Sequence, residues 1–234
     1  MAKFEVHFPI GIISGVVLAA AGLNAHQIQP VEGVCVIALA AVGSCIPDID
    51  SVSSIPHRYF GYFLTYGLPL ILLLFLSPII RSEPLLNVIF YSLFAVVSHR
   101  YLCPYVKTIF KHRGVLHTIP FALLCAELTY LLFVSDFELF DAASEKMPVY
   151  FGVAVFVGHI SHLIADEFYS LYDEKEKTYK RKTSLGSALT MYSERSTPKI
   201  NVTVYILVAL TAFAINSDGV SLQSLWLMIV NAYG

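Results

Sequence analysis

Apolar runs of bilayer-spanning length recur along this chain, and no other feature constrains its fold as strongly. A helix rising 1.5 Å per residue needs about 20 apolar residues to cross a hydrocarbon core about 30 Å thick. Runs near 8–25, 31–47, 60–80, 85–103, 115–135, 148–169, 200–216 and 220–232 meet or approach that length. The second is short and ends at Pro47, and the eighth carries Gln223 and Asn231, so either also fits a re-entrant or interfacial segment. The expectation is an all-α, polytopic transmembrane bundle of seven to eight segments. Composition agrees: 56% of residues are hydrophobic and 14% charged, with mean hydropathy +0.68. Soluble domains average about 25% charged residues, so this chain has too little polar surface to wrap a soluble globule.

Orientation follows from Lys and Arg, which accumulate in cytoplasmic loops. With the N-terminus inside and the segments alternating, Lys3, Arg58, Arg100, Lys107, Lys111, Arg113, Lys175, Lys177, Lys180, Arg181, Lys182, Arg195 and Lys199 fall on the cytoplasmic side. Only Arg81 and Lys146 of the 15 basic residues fall outside, as does the acidic connection Asp136, Glu138, Asp141 and Glu145. No repeat, low-complexity tract or Pro/Gly linker divides the chain. Residues 1–234 therefore read as one integral-membrane domain with a charged cytoplasmic loop at about 170–199. The charged part of that loop, 173–182, reads as a solvated helical extension whose basic end lies near anionic lipid headgroups.

A net charge of −2 says nothing about nucleic acid, and no basic stripe or aromatic-basic interleave suggests it, so that class is set aside. Cys35, Cys45, Cys103 and Cys125 lie in or beside apolar runs without C-x-x-C spacing, which suits small packing residues rather than disulfides or a zinc knuckle. The N-terminal stretch has some look of a cleaved signal peptide, but Glu5 and His7 interrupt its n-region.

Ionisable residues inside apolar spans mark function by default, because insertion of a central Asp costs roughly 2.5–3.5 kcal/mol. The sixth run reads Gly-His-Ile-Ser-His-Leu-Ile-Ala-Asp from Gly158 to Asp166. At about 100° per residue, His159, His162 and Asp166 share a stripe about 60° wide, where a coordinated cation would offset the carboxylate's cost; a His–Asp pair tying helices together would offset it too. Pro47-Asp48-Ile49-Asp50 closes the second run, and the turn after the proline can present both carboxylates to a hard or borderline cation, or simply cap the turn. Lys111-His112-Arg113-Gly114-Val115-Leu116-His117 enters the fifth run, with His112 and Arg113 expected in a loop and His117 on the first helical turn. Arg113 offers a planar fork of donors for phosphate or carboxylate. His7 precedes the first run. Under the orientation set by Lys and Arg alone, these four segments meet at one depth on the cytoplasmic side, and His57, Arg58, His99 and Arg100 share that level.

In these residues the chain resembles the YdjM-like family of inner-membrane proteins, classed as membrane-bound metal-dependent hydrolases. The matching pieces are His7 before the first span, Pro-Asp-Ile-Asp (Pro47 to Asp50), His-Arg-Gly-x-x-His-Thr (His112 to Thr118) and Gly-x-x-Ser-His-x-x-x-Asp (Gly158 to Asp166). The family often continues Asp-x-Asp with a His, where this chain has Ser51, and His159 stands where the family has other residues. Beyond Asp166 the family tends toward Thr-Pro-x-Gly, whereas this chain has Glu167-Phe168-Tyr169-Ser170. The resemblance implies an inner-membrane hydrolase whose substrate it does not specify.

The resulting expectation is metal-assisted hydrolysis. His7, Asp48, Asp50, His117, His162 and Asp166 would bind one or two divalent cations, zinc by ligand type, with manganese or iron as alternatives. Arg113 would steady an anionic leaving group, and His112 or His159 would donate the leaving-group proton. A site at headgroup depth suggests membrane lipids as surroundings and an amphiphilic or lipid-borne phosphoester as substrate. A phosphatidic-acid-phosphatase chemistry is disfavoured, because neither Pro-Ser-Gly-His nor a suitably spaced Ser-Arg is present. The competing classes are a cation- or proton-coupled transporter, which needs access from both faces, and a non-enzymatic scaffold with a structural metal.

Overall fold

A computed structural model describes residues 4–80, 84–134, 144–173, 178–179, 186 and 188–216. Its helices are α1 (Phe4–Asn24), α2 (Pro30–Gly43), α3 (Ile55–Tyr62), α4 (Leu68–Ile80), α5 (Pro84–Val97), α6 (Cys103–Ile109), α7 (Ile119–Val134), α8 (Met147–Ser170) and α9 (Pro198–Asn216). Five helical stretches are long and apolar enough to cross a membrane: Phe4–Asn24, Pro30–Asp50, Pro84–Ile109, Met147–Ser170 and Pro198–Asn216. Ile119–Val134 is a shorter apolar helix, and 55–80 is continuous through a π turn. These correspond to the first seven expected segments. The eighth, 220–232, lies outside the described residues, as do Lys3 and the acidic residues Asp136, Glu138 and Asp141.

The boundaries differ from the sequence expectation in four places. Helix α1 already runs at Phe4, so His7 stands within it rather than ahead of it. Pro9 is tolerated inside that helix because it removes only one donor, the one that would serve the carbonyl of exposed Glu5. The fourth segment continues past 103 to Ile109, through a π turn at Ser98–Leu102. The fifth begins with a 3₁₀ turn, Val115–His117, so His117 precedes α7. Finally, the chain leaves α8 not as a helical extension but as a small antiparallel ribbon, β1 (Tyr172–Asp173) against β2 (Thr178–Tyr179).

The π turns Phe63–Gly67 and Ser98–Leu102 have a local cause. Each is followed within two residues by a proline, Pro69 or Pro104, that cannot donate to the preceding turn, and the wider turn accommodates the missing bond. The two turns meet: the Ser98 hydroxyl donates to the Leu64 carbonyl, and Thr65 Oγ1 lies 3.5 Å from Cys103 Sγ. Polar side chains thus re-satisfy backbone that lipid would leave unpaired. Outward-facing Leu70, Leu74, Leu85, Val88 and Val96 of this α3–α6 hairpin are exposed, as expected of a surface that lipid covers.

The core lies among α1, α2 and α8, where Ala19, Val36, Ala40, Phe151 and Ala154 are buried together. Water supplies no driving force inside a bilayer, so helices associate there through close backbone approach at small residues. A Cβ on Gly15 would lie 2.7 Å from Ile37 Cα, and one on Gly158 would collide with the Ala40 carbonyl. Helices α2 and α8 run in the same direction, so this contact sets the register that carries their later turns together. At the start of α2, buried Glu32 accepts the Gln29 amide at 2.7 Å and both the amide and hydroxyl of Ser144, at 2.8 and 2.7 Å. That carboxylate caps α2 and ties it to the segment entering α8. All four cysteines are free.

Candidate functional site

One turn beyond the Gly158–Ala40 contact, His162 lies beside the end of α2. Its Nδ1–H donates to the Ser44 carbonyl at 2.7 Å, which leaves Nε2 with its lone pair. His7, from α1, stacks on it with ring centroids 3.5 Å apart and planes 15° apart. Asp166, one turn past His162, brings Oδ1 within 3.4 Å of His7 Nε2. Ligand atoms of His7, His162 and Asp166 all lie within 4.8 Å of one another, and all three residues are fully buried.

The loop between α6 and α7 closes the other side. His117 Nε2 is 3.9 Å from Asp166 Oδ2, and its ring lies 5.6 Å from that of His162 at 73°. Behind it, His117 Nδ1 is 3.1 Å from Asp50 Oδ2, while Asp50 Oδ1 lies 3.2 Å from Nδ1 of half-exposed His112. Asp48 Oδ1 stands 3.9 Å from His162 Nε2. Arg113 adopts a left-handed backbone conformation (φ 56°) and, buried, sets Nη2 3.2 Å from Asp166 Oδ2. One carboxylate therefore has two differently used edges, Oδ1 toward His7 and Oδ2 toward Arg113 and His117.

His7, His117, His162 and Asp166 converge; Asp48 and Asp50 flank them, and Arg113 and His112 contact Asp166 and Asp50 respectively. His159 donates from Nε2 to the Leu116 carbonyl at 2.8 Å and packs beside Phe121, so its recorded polar contact ties α8 to the turn that carries His117. His57, also at this level, donates from Nδ1 to the Ile49 carbonyl at 2.7 Å and holds the Asp48–Asp50 turn. Sequence reading passed over the Ser44 carbonyl, Glu167 and the segment around Ser193 and Ser196. Carbonyls have no sequence signature, and isolated serines in a polar loop carry no periodic signal.

The donor set fits a divalent cation. Both ring nitrogens of His7, together with His117 Nε2 and His162 Nε2, are buried without a hydrogen-bond partner. Buried polar atoms are otherwise paired in more than about nine cases in ten, so a concentration of such atoms around one carboxylate calls for a ligand. His162 with the Ser44 carbonyl, and His117 with Asp50, repeat the arrangement in which a metal-ligating imidazole is oriented by a carbonyl or carboxylate on its other nitrogen. A shallow, open cleft of about 30 Å³ adjoins Asp50, lined by Ile49, Val52, Phe60, Val106 and Phe110 with His57 and Lys107.

Fold and site together define an integral-membrane helical bundle with a buried His/Asp cluster at one end. The chain belongs to the YdjM inner membrane protein family, whose profile matches residues 1–173. No curated protein and no solved structure matches it.

Proposed function

We propose that this protein is a membrane-embedded, divalent-metal-dependent hydrolase. The observation that carries the reading is the convergence of His7, His117 and His162 on Asp166, with both His7 nitrogens and Nε2 of His117 and His162 buried without a hydrogen-bond partner. His7, His117, His162 and Asp166 hold the ion, zinc by the mixture of imidazole and carboxylate. Asp50 orients His117, and Asp48, beside His162, completes the set or admits a second ion. The bound ion supplies Lewis acidity that lowers the pKa of a water from 15.7 toward 7.

The chain's own residues do the rest. Arg113 holds the second oxygen of Asp166 in place and adds a positive charge beside the site that favours an anionic group. His112, half exposed and paired with Asp50, is placed to pass a proton between the site and solvent, while His159 fixes the His117 turn. The apolar lining of the cleft beside Asp50, with Lys107 among its walls, suits an amphiphilic substrate such as a lipid-borne phosphoester. The Lys and Arg distribution supports a cytoplasmic position for this end of the bundle.

The test is elemental analysis of the purified, detergent-solubilised protein beside Asp48→Asn and His162→Ala. One or two equivalents of zinc or manganese, lost or halved in the variants, are expected, followed by turnover in a screen of lipid phosphoesters. A protein that stays metal-free after incubation with zinc and manganese refutes the proposal.

A further inference from the structure

The loop that carries Arg113 and His117 makes few of its own backbone hydrogen bonds. Within it, the Gly114 amide donates to the Lys111 carbonyl at 2.7 Å and the His117 amide to the Gly114 carbonyl at 3.1 Å. The Leu116 carbonyl accepts His159 Nε2 and the Val115 carbonyl accepts the Thr118 hydroxyl, and further backbone partners lie some 70–80 residues along the chain, in a strap formed by residues 186 and 188–197. The Val115 amide donates to Ser196 Oγ at 2.8 Å. The Arg113 carbonyl accepts the Ser193 hydroxyl at 3.4 Å, and the His112 carbonyl accepts Arg195 Nη1 at 3.4 Å. Thr118 forms a parallel bridge with Thr190, and the Ile119 amide donates to the Thr190 carbonyl at 3.0 Å. There is no slack at the centre of this contact, because a Cβ on Gly114 would lie 2.9 Å from Ser196 Oγ.

The strap is itself fixed from outside the loop. Glu167, the residue after Asp166, accepts the amides of Gly186 and Ala188 at 2.8 and 2.7 Å. Asn201 on α9 makes a two-way amide pair with the backbone of Ser193, at 3.0 and 2.9 Å, and Tyr205 donates to the Met191 carbonyl at 2.7 Å. Ser193, Ser196 and Asn201 are buried, unlike ordinary residues of a surface loop. The circuit is closed: α8 presents Asp166 to Arg113 and His117, and its next residue anchors the strap that holds Arg113 and His117 against Asp166.

The geometry assigns this strap, which lies beyond the family-matched residues 1–173, to the site as a positioning element. Ser196 and Asn201 are its positioning residues. They act through the Arg113–His117 loop, whose left-handed turn at Arg113 is uncommon for a residue other than glycine and persists where its surroundings determine it. The inference rests on the metal reading for its consequence but not for its geometry.

The test uses the full chain, cobalt(II) as the metal alone, and four variants: Ser196→Ala, Ser196→Thr, Asn201→Ala and His162→Ala. Removing an outer-layer support typically costs 10–100-fold in metal affinity. Ser196→Ala and Asn201→Ala are expected to bind cobalt about tenfold more weakly, with a changed visible absorption band. Ser196→Thr, which keeps the hydroxyl, should match the natural chain in both, and His162→Ala should not bind. If Ser196→Ala and Asn201→Ala bind cobalt with the natural affinity and band while His162→Ala does not bind, the strap is no part of the site and the metal reading stands. If even the natural chain binds no cobalt, the metal reading falls, and hydrogen exchange of the Val115 and Ile119 amides decides the strap. Faster exchange in Ser196→Ala but not in Ser196→Thr upholds it, and equal exchange in all overturns it.

Discussion

Asp166→Asn separates a metal centre from a purely structural ion-pair cluster. The substitution keeps the shape of the side chain and removes its charge. Asp166 is fully buried, with Arg113 Nη2 at 3.2 Å, His7 Nε2 at 3.4 Å and His117 Nε2 at 3.9 Å. At an effective dielectric of about 20, unit charges at the Arg113 distance attract by roughly 5 kcal/mol. Removing one partner of a buried pair costs about 3–5 kcal/mol, because the other charge stays buried without it. For a chain of this size, that loss lowers the melting temperature by on the order of 10 °C. The assay is thermal unfolding in detergent, paired with zinc titration. Asp166→Asn should lose both the stability and at least 100-fold in zinc affinity. Adding Arg113→Met removes the buried cation that faced Asp166 and should recover part of the melting temperature, yet no zinc affinity. Recovery of zinc binding in the double variant, or undiminished binding in the single one, would refute the claim that Asp166 is a ligand.

Other outcomes follow from separate parts of the fold. Gly158→Val should cost about 1–3 kcal/mol or more by overpacking against Ala40, and should weaken metal binding because it pushes His162 away from Ser44; differential scanning fluorimetry and zinc titration read the two effects. Glu32→Ala removes the carboxylate that accepts the Gln29 and Ser144 amides and should destabilise the protein by about 1–3 kcal/mol, with zinc affinity lowered less than in Gly158→Val. Orientation is tested by a membrane-impermeant thiol reagent on a chain lacking its native cysteines: Lys146→Cys should label from outside intact cells, and Arg195→Cys only after lysis. The opposite pattern would reverse the proposed topology.

Much of this was legible in the sequence because the bilayer imposes so few solutions. Apolar length set seven helical segments correctly, and the 3.6-residue period put His162 and Asp166 on one face of α8. The same period could not separate His159 from them, since a stripe 60° wide does not say which neighbour each position meets. His159 finds the Leu116 carbonyl, a backbone atom no side-chain pattern records. The start of α1 ahead of His7 was not legible because polar Glu5 and His7 precede the apolar run, and the fourth helix continues to Ile109 past Pro104 because a π turn absorbs the proline. The strap lay hidden for a different reason. Its work is done by serine hydroxyls, one asparagine and bare amides in a stretch whose lysines and glutamates dominate the eye, and charge density says nothing about which neutral residues are buried.

The parallel crossing of α2 and α8 has a mechanical consequence. Their closest approach, Gly158 on Ala40, acts as a fulcrum, with His162 and Ser44 one turn away on one arm and Glu32 about two turns away on the other. With a rise of 1.5 Å per residue these arms are about 6 and 12 Å. A rocking of 5° about the fulcrum would shift the histidine end by only about 0.5 Å, close to the tolerance of a functional site, while the Glu32 end would move about twice as far. Glu32 grips Ser144 on that longer arm, where a given restraint has the greater leverage against rocking. The helix pair thus behaves as a lever clamped at its far end, and the imidazoles stand where the lever moves least.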